Sequence, residues 1–141
     1  MKFKIFYHSH SKNEGFESVI QDYQKRLNWK IEFENYINRK SKIGIIEELS
    51  AKYFVIALSE NGTEFNSVDF SKYLEKISAN FGGKIAFVIG AAEGFDKQDL
   101  KKANNVISLS KLTFPHNMAR LMLVEQMYRA WTILENKPYH K

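Results

Sequence analysis

Residues 84–94 read Lys-Ile-Ala-Phe-Val-Ile-Gly-Ala-Ala-Glu-Gly. The apolar run has no polar alternation, which fits a short strand covered on both faces, as strands are inside a parallel sheet. Gly90 and Gly94 stand where that strand ends and a helix is soon to begin. They permit either a tight turn or a close approach of backbone to a ligand, and both readings stand. The spacing is neither G-x-G-x-x-G nor a Walker loop, so dinucleotide or ATP binding on those templates has no support. Upstream, Tyr53–Leu58 (YFVIAL) has the same buried-strand character. The polar turn expected after it, Ser59–Gly62, contains the turn dipeptide Asn61-Gly62. Between the two strands, Ser67 is the expected N-cap of a helix carrying Phe70, Leu74, Ile77 and Phe81, closed by Gly82 and Gly83.

The flanking sequence extends the pattern. Lys2–Tyr7 alternates polar and apolar residues, and Phe16, Val19, Ile20, Tyr23 and Leu27 recur at helical spacing. Trp29, Ile31 and Phe33 alternate again, and Ile43, Ile46 and Leu49 form one face of a short helix. A polar helix is expected over Asp96–Asn104, a last strand over Val106–Ser110, a loop over Lys111–Asn117 and a long helix to about Glu135. Strands alternating with helices make an α/β fold with a mainly parallel sheet and right-handed crossovers. In such sheets ligands bind beyond the carboxyl ends of the strands. The segments after Leu58, Ile89 and Ser110 are therefore the candidate site.

A chain of 141 residues is the size of one domain, so a single domain over 1–141 is expected. No segment approaches the length of apolar sequence a membrane span needs. With no Cys there is no disulfide framework, thiolate metal site or cysteine nucleophile. The pair His8 and His10 lacks further ligands at metal spacing. Met1–Tyr7 is strand-like and has no secretory-signal pattern, so a cytoplasmic location is expected. Lys plus Arg balance Asp plus Glu at fourteen each over residues 1–99, whereas residues 100–141 carry seven against two. That localised excess favours an anionic partner such as nucleic acid.

The C-terminal helix has Val124, Met127, Trp131 and Leu134 on one stripe, with Leu121, Met122, Ala130 and Ile133 on other sides. A helix this apolar is buried on more than one face. It is either the central helix of one compact domain or part of an interface with a second subunit across a two-fold axis. Arg120 falls on its most apolar side. A guanidinium there must be paired, either with a structural carboxylate or with a phosphate or carbonyl of a substrate. Lys111, Thr113 and His116 flank Pro115 in an ordered loop, where His116 is a helix-start residue with or without chemistry. The tail Asn136–Lys141 is either frayed or suited to stacking on a base and holding phosphate.

Three ordered motifs are specific enough to identify. Phe87-Val-Ile-Gly-Ala-Ala-Glu-Gly94, Leu109-Ser-Lys-Leu-Thr-Phe-Pro-His116 and Val124-Glu-Gln-Met-Tyr-Arg-Ala-Trp131, with the ending Pro138-Tyr-His-Lys141, resemble the ribosomal RNA large subunit methyltransferase H family of the SPOUT class. The resemblance implies a parallel α/β sheet with a C-terminal trefoil knot, a homodimer, and S-adenosylmethionine as cofactor. The implied reaction is methyl transfer to N3 of a pseudouridine in helix 69 of 23S rRNA, within ribosomes and without metal. Carried over by position, the cofactor residues are Leu58, Gly90, Leu109, Ser110, Lys111, Leu112, Thr113 and Phe114. Arg120, Tyr139 and His140 are the candidates for holding and deprotonating the base, and Arg129 and Lys141 for contacting phosphate. Ala91 stands where the family has a second Gly, His8–Lys12 differs from the usual Val-Gly-Lys, and the region around 38–50 is shortened. Two other classes are a non-catalytic ribosome- or RNA-binding module on the same fold and a small-nucleotide-binding α/β protein.

Overall fold

The structure is a computed structural model that describes residues 1–11 and 13–141. Lys12, the last residue of the divergent first loop, lies outside the described residues. The elements in chain order are β1 (Lys2–Tyr7), α1 (Glu14–Arg26), β2 (Lys30–Asn35), α2 (Ile45–Ser50), β3 (Phe54–Glu64), α3 (Ser67–Phe81), β4 (Ile85–Val88), α4 (Lys97–Leu100), β5 (Asn105–Ser108) and α5 (His116–Leu134). The five strands form one sheet in the order β2-β1-β4-β3-β5, and every pairing is parallel.

Alternation along the strands divides the core between the two faces. Phe3, Ile5, Ile56, Ile85 and Phe87 point to one face, where they meet Ile20 of α1, Leu74 and Ile77 of α3, and Leu123, Val124, Met127 and Ala130 of α5. Phe6, Val55, Ala57, Ala86 and Val88 point to the other, covered by Ile45, Ile46 and Leu49 of α2 and by Leu100 and Ala103. The four residues of β4 are all buried, as an unbroken apolar run requires. Helix α5 packs against both α1 and α3, so it wedges between elements formed far earlier in the chain.

Several boundaries differ from the sequence reading. The N-cap of α3 is Asn66, whose carboxamide oxygen accepts from the Asp69 N–H at 2.7 Å. Ser67 is already helical, and its hydroxyl donates to Gln126 Oε1 at 2.8 Å, tying α3 to α5. Helix α4 ends at Leu100 because Lys101 N–H closes onto Lys97 and the chain then turns into β5. Helix α5 begins at His116, immediately after Pro115, whose φ of −55° suits a helix entrance.

The largest difference concerns residues 59–62. Ile107 of β5 pairs with both Leu58 and Thr63, so the intervening four residues bulge out of the strand before β3 resumes its pairing. Gly62 makes this possible. A Cβ there would lie 2.6 Å from the Ile107 carbonyl carbon, closer than any side chain tolerates.

Candidate functional site

Because all strands run one way, their carboxyl ends share one edge of the sheet, and the expected cofactor residues gather there. Leu58 ends the first paired stretch of β3 opposite Ile107. Gly90 is buried just beyond β4; a Cβ on it would meet the Phe95 ring at 3.2 Å and Gly94 backbone at 3.3 Å. The segment from Ala91 closes by a Gly94 N–H bond to the Ala91 carbonyl at 2.8 Å, with Gly94 at φ +72°. The positive φ therefore falls on Gly94. Ala91 has no positive φ, so its methyl group is accommodated without backbone strain.

The stretch after β5 is ordered by its own hydroxyls. Ser108 Oγ donates to the Ser110 carbonyl at 2.8 Å, and Ser110 Oγ accepts from the Leu112 N–H at 3.0 Å. It is fastened to the β3 bulge, where Thr113 Oγ1 donates to Glu60 and Lys111 Nζ lies 3.7 Å from Glu64. Leu109 packs on the core, whereas Leu112 is 71% exposed. A cavity of about 480 Å³ lies beside this segment, lined by Phe65, Phe70, Ile107, Leu109, Met122 and His140 among others.

Arg120 is 1% exposed. Its guanidinium pairs with Glu17 of α1 and stacks on the rings of Tyr7 at 4.1 Å and Phe33 at 5.2 Å, while Nε has no partner. Burial lowers the Arg120 pKa from its ordinary value. Of the two partners open to it from sequence, the structure supplies the carboxylate. Arg120 thus belongs to the α1–α5 seam and is not brought together with Tyr139 and His140.

The C-terminal tail is folded back and tied down. Asn136 adopts φ +54°, and the Lys137 N–H returns to the Thr132 carbonyl at 2.8 Å, a left-handed helix stop. Tyr139 Oη then lies 3.1 Å from Glu125 Oε1 and 3.3 Å from Tyr23 Oη. Burial, reinforced by those two neighbours, raises the Tyr139 phenol above the usual tyrosine range. Arg129 pairs with Glu125 at 2.6 Å, stacks on the Tyr139 ring at 4.8 Å and places Nη1 3.1 Å from His140 Nδ1. Arg129, Tyr139 and His140 therefore form one cluster, with Lys141 exposed beside it.

Pairing also reshapes the C-terminal charge. Arg120, Arg129, Lys102 and Lys111 face Glu17, Glu125, Glu47 and Glu64 respectively. Among the described residues, Lys101, Lys137 and Lys141 are the cations of that region outside any ion pair. The free positive field is narrower than the residue count implies.

A second group was missed by sequence reasoning. Ser9 is 5% exposed and clamped between elements. Its N–H bonds to Asn35 Oδ1 at 3.2 Å, its carbonyl accepts from Asn35 Nδ2 at 3.0 Å, and its hydroxyl lies 3.2 Å from His116 Nε2. On either side, His8 packs edge-on against His10 at 5.5 Å and against Tyr36 at 5.3 Å. Tyr36 Oη donates to the Ile89 carbonyl at 2.7 Å, immediately before Gly90. Among the described residues no group of three His, Cys, Asp or Glu side chains is placed to hold a metal ion. Nor, among the described residues, is any helix long and apolar enough to cross a membrane.

The sheet is wholly parallel, with the segments after Leu58, Gly90 and Ser108 on its carboxyl edge and the last helix packed against two earlier ones. Residues 1–140 match the family described as "Predicted SPOUT methyltransferase". The chain is 40% identical to ribosomal RNA large subunit methyltransferase H of Flavobacterium johnsoniae, with 99% of each chain covered. It is 37% identical to the protein of that name from Acholeplasma laidlawii, over the full length of both, and 41% identical to that from Christiangramia forsetii over 88% of each. A probable methylase family protein of Haemophilus influenzae Rd KW20 shares the fold, with a TM-score of 0.59 at 15% identity, covering 99% of this chain and 70% of that one. The chain belongs to the SPOUT methyltransferase family, among relatives named ribosomal RNA large subunit methyltransferase H.

Proposed function

We propose that this protein is an S-adenosylmethionine-dependent methyltransferase acting on N3 of a pseudouridine in helix 69 of 23S rRNA, as a cytoplasmic homodimer with a C-terminal trefoil knot. The observation that carries the reading is the convergence of Leu58, Gly90 and the Leu109–Phe114 segment on the carboxyl edge of three adjacent strands. Apolar side chains with ordered backbone and hydroxyls suit an adenosyl ligand, and the turn at Gly90 is packed too closely against Phe95 and Gly94 for a side chain. The knot is supported by the path of the chain after β5, which is fastened to the β3 bulge before entering the groove between α1 and α3. The dimer is supported by Met118 and Met122, large apolar side chains left exposed one turn apart on α5, together with the exposed Leu112 of the preceding loop and Val68 of α3.

When bound, S-adenosylmethionine supplies an already activated methyl group. The work left to the chain is placement of the acceptor nitrogen and removal of its proton. Tyr139 and His140 hold the base. Arg129 donates to His140 Nδ1, so the neutral ring carries its proton on Nε2 and grips a base carbonyl as a donor. His140 takes the N3 proton only once Nδ1 is released from Arg129. Arg129 and Lys141 contact phosphate, with the phosphate displacing Glu125 from Arg129. Arg120 is a positioning residue that fixes α5 against α1 through Glu17.

Calorimetry with S-adenosylmethionine and transfer of labelled methyl to ribosomes lacking the modification test the reading. Binding followed by labelling of 23S rRNA is expected. Failure of both would overturn it. Salt-dependent binding to ribosomes without cofactor binding would identify a non-catalytic RNA-binding module.

A further inference from the structure

Beyond the loops assigned to cofactor, the same edge of the sheet carries a second hollow of about 260 Å³ between the ends of β1, β2 and β4. Its lining includes His8, Tyr36, Arg39, Glu93, Gly94 and Asp99. We propose that it is a subsite for one amino-bearing nucleobase of the RNA, a cytosine or adenine near the methylated residue, stacked on the His8–Tyr36 pair with its N–H edge toward Glu93 and Asp99. This inference rests on the methyl-transfer reading above.

Three observations carry it. The rings are preorganised: Ser9 is held through backbone and side chain by Asn35 and His116, which fixes the backbone carrying His8, and His8 packs edge-on against Tyr36, itself tied to the Ile89 carbonyl. A fixed aromatic surface stacks a base at little cost in entropy. The polar groups match an N–H edge, because a carboxylate accepts from an exocyclic amino group and repels a carbonyl. Arg39, in the same wall, forms its ion pair with Glu48 and donates to the Ile43 carbonyl, and among the described residues neither Glu93 nor Asp99 has an ion-pair partner. The hollow is smaller than sites for drug-sized ligands, which suits one base with its sugar and phosphate outside. It also adjoins the Gly90 turn, through Gly94 in its wall and the Tyr36 bond to Ile89.

Histidine and tyrosine ring resonances, followed by NMR during titration with cytidine 5′-monophosphate, test the proposal directly. The nucleotide is expected to shift His8, His10 and Tyr36, to bind about tenfold more tightly than uridine 5′-monophosphate, and to lose that preference in Glu93→Gln. His8→Ala is expected to abolish the response and His8→Phe to restore it. In ribosome methylation, His8→Ala is expected to raise KM about tenfold, one lost stacking contact, with kcat held within about twofold. No shift, an equal response to ribose 5-phosphate, or displacement of the nucleotide by arginine amide overturns the proposal. Calorimetry with S-adenosylmethionine on the same samples separates the two readings: loss of cofactor binding counts against methyl transfer, whereas intact cofactor binding with no nucleotide response sinks the subsite alone.

Discussion

Glu17→Ala withdraws the carboxylate from the Arg120 guanidinium and leaves that cation with no charged partner. The Arg120 side chain is 2% exposed and Glu17 is 22% exposed, so the change strips the wetter member and strands the dry one. Breaking a buried pair in this way costs about 3–5 kcal/mol. The stacks on Tyr7 and Phe33 are present before and after the substitution and cancel, while the partial exposure of Glu17 places the cost at the lower end of that range. The net expectation is a loss of about 3 kcal/mol, or roughly a 10 °C fall in Tm for a chain of this size. Arg120→Met removes the charge and keeps most of the volume, while Glu17 turns to water, so it should cost only about 1 kcal/mol. Adding Arg120→Met to Glu17→Ala should therefore bring the loss back to about 1 kcal/mol, a coupling of about 3 kcal/mol. Urea unfolding at one fixed protein concentration, followed through Trp29 and Trp131 fluorescence, measures all four proteins. A Glu17→Ala loss no larger than that of Arg120→Met, or no recovery in the double variant, would refute the reasoning.

Three further outcomes follow from the same geometry. Burial raises the phenol pKa of Tyr36 and Tyr73, and burial with hydrogen bonding raises that of Tyr139; a raised folded-state pKa keeps its stabilisation below the unfolded value near pH 10 and loses it as pH rises further, so urea midpoints should fall above about pH 10, and less steeply in Tyr139→Phe.

 The leading cause at Tyr36 is burial, opposed by the nearby Arg39 charge. Gly62→Ala drives a methyl group into Ile107 backbone that cannot yield, and chemical denaturation should show a loss of about 1–3 kcal/mol; an unchanged midpoint would mean the β3 bulge is not packed as described. Met118→Lys with Met122→Lys places two charges on the exposed apolar side of α5, and sedimentation should show the proposed dimer dissociating at concentrations where the parent chain remains associated.

The strands and the division of the core were legible because a period of two with unbroken apolar runs admits few alternatives, as Ile85–Val88 shows. Local chemistry was less decisive where neighbours compete. Asn66 and Ser67 are both good caps, and only the reach of Ser67 to Gln126 separates them. The bulge at 59–62 was read as a turn because the strand that recaptures it, β5, lies some forty-five residues downstream. Arg120 could be recognised as buried and paired from its place on α5, but nothing local singles out Glu17, 103 residues away. Glu125 and Arg129 are different, since a separation of four on one helix puts them side by side. Of the aromatic rim, the His8–His10 pair is visible in the sequence but Tyr36 beside it is not; parallel pairing of β1 and β2 brings Tyr7 opposite Asn35 and so sets His8 next to Tyr36.

The position of α5 has a consequence for how the chain comes to be folded. Arg120 of α5 to Glu17, and Tyr139 of the tail that follows it to Tyr23, close loops of more than one hundred residues, so their entropic cost falls due before any of their enthalpy is gained. The groove between α1 and α3 stays open until the final residues are available to fill it. During synthesis α5 follows every element it packs against, so a chain that lacks it carries the apolar face of its sheet exposed. Native packing therefore waits on this one helix, which makes the fold intolerant of its loss.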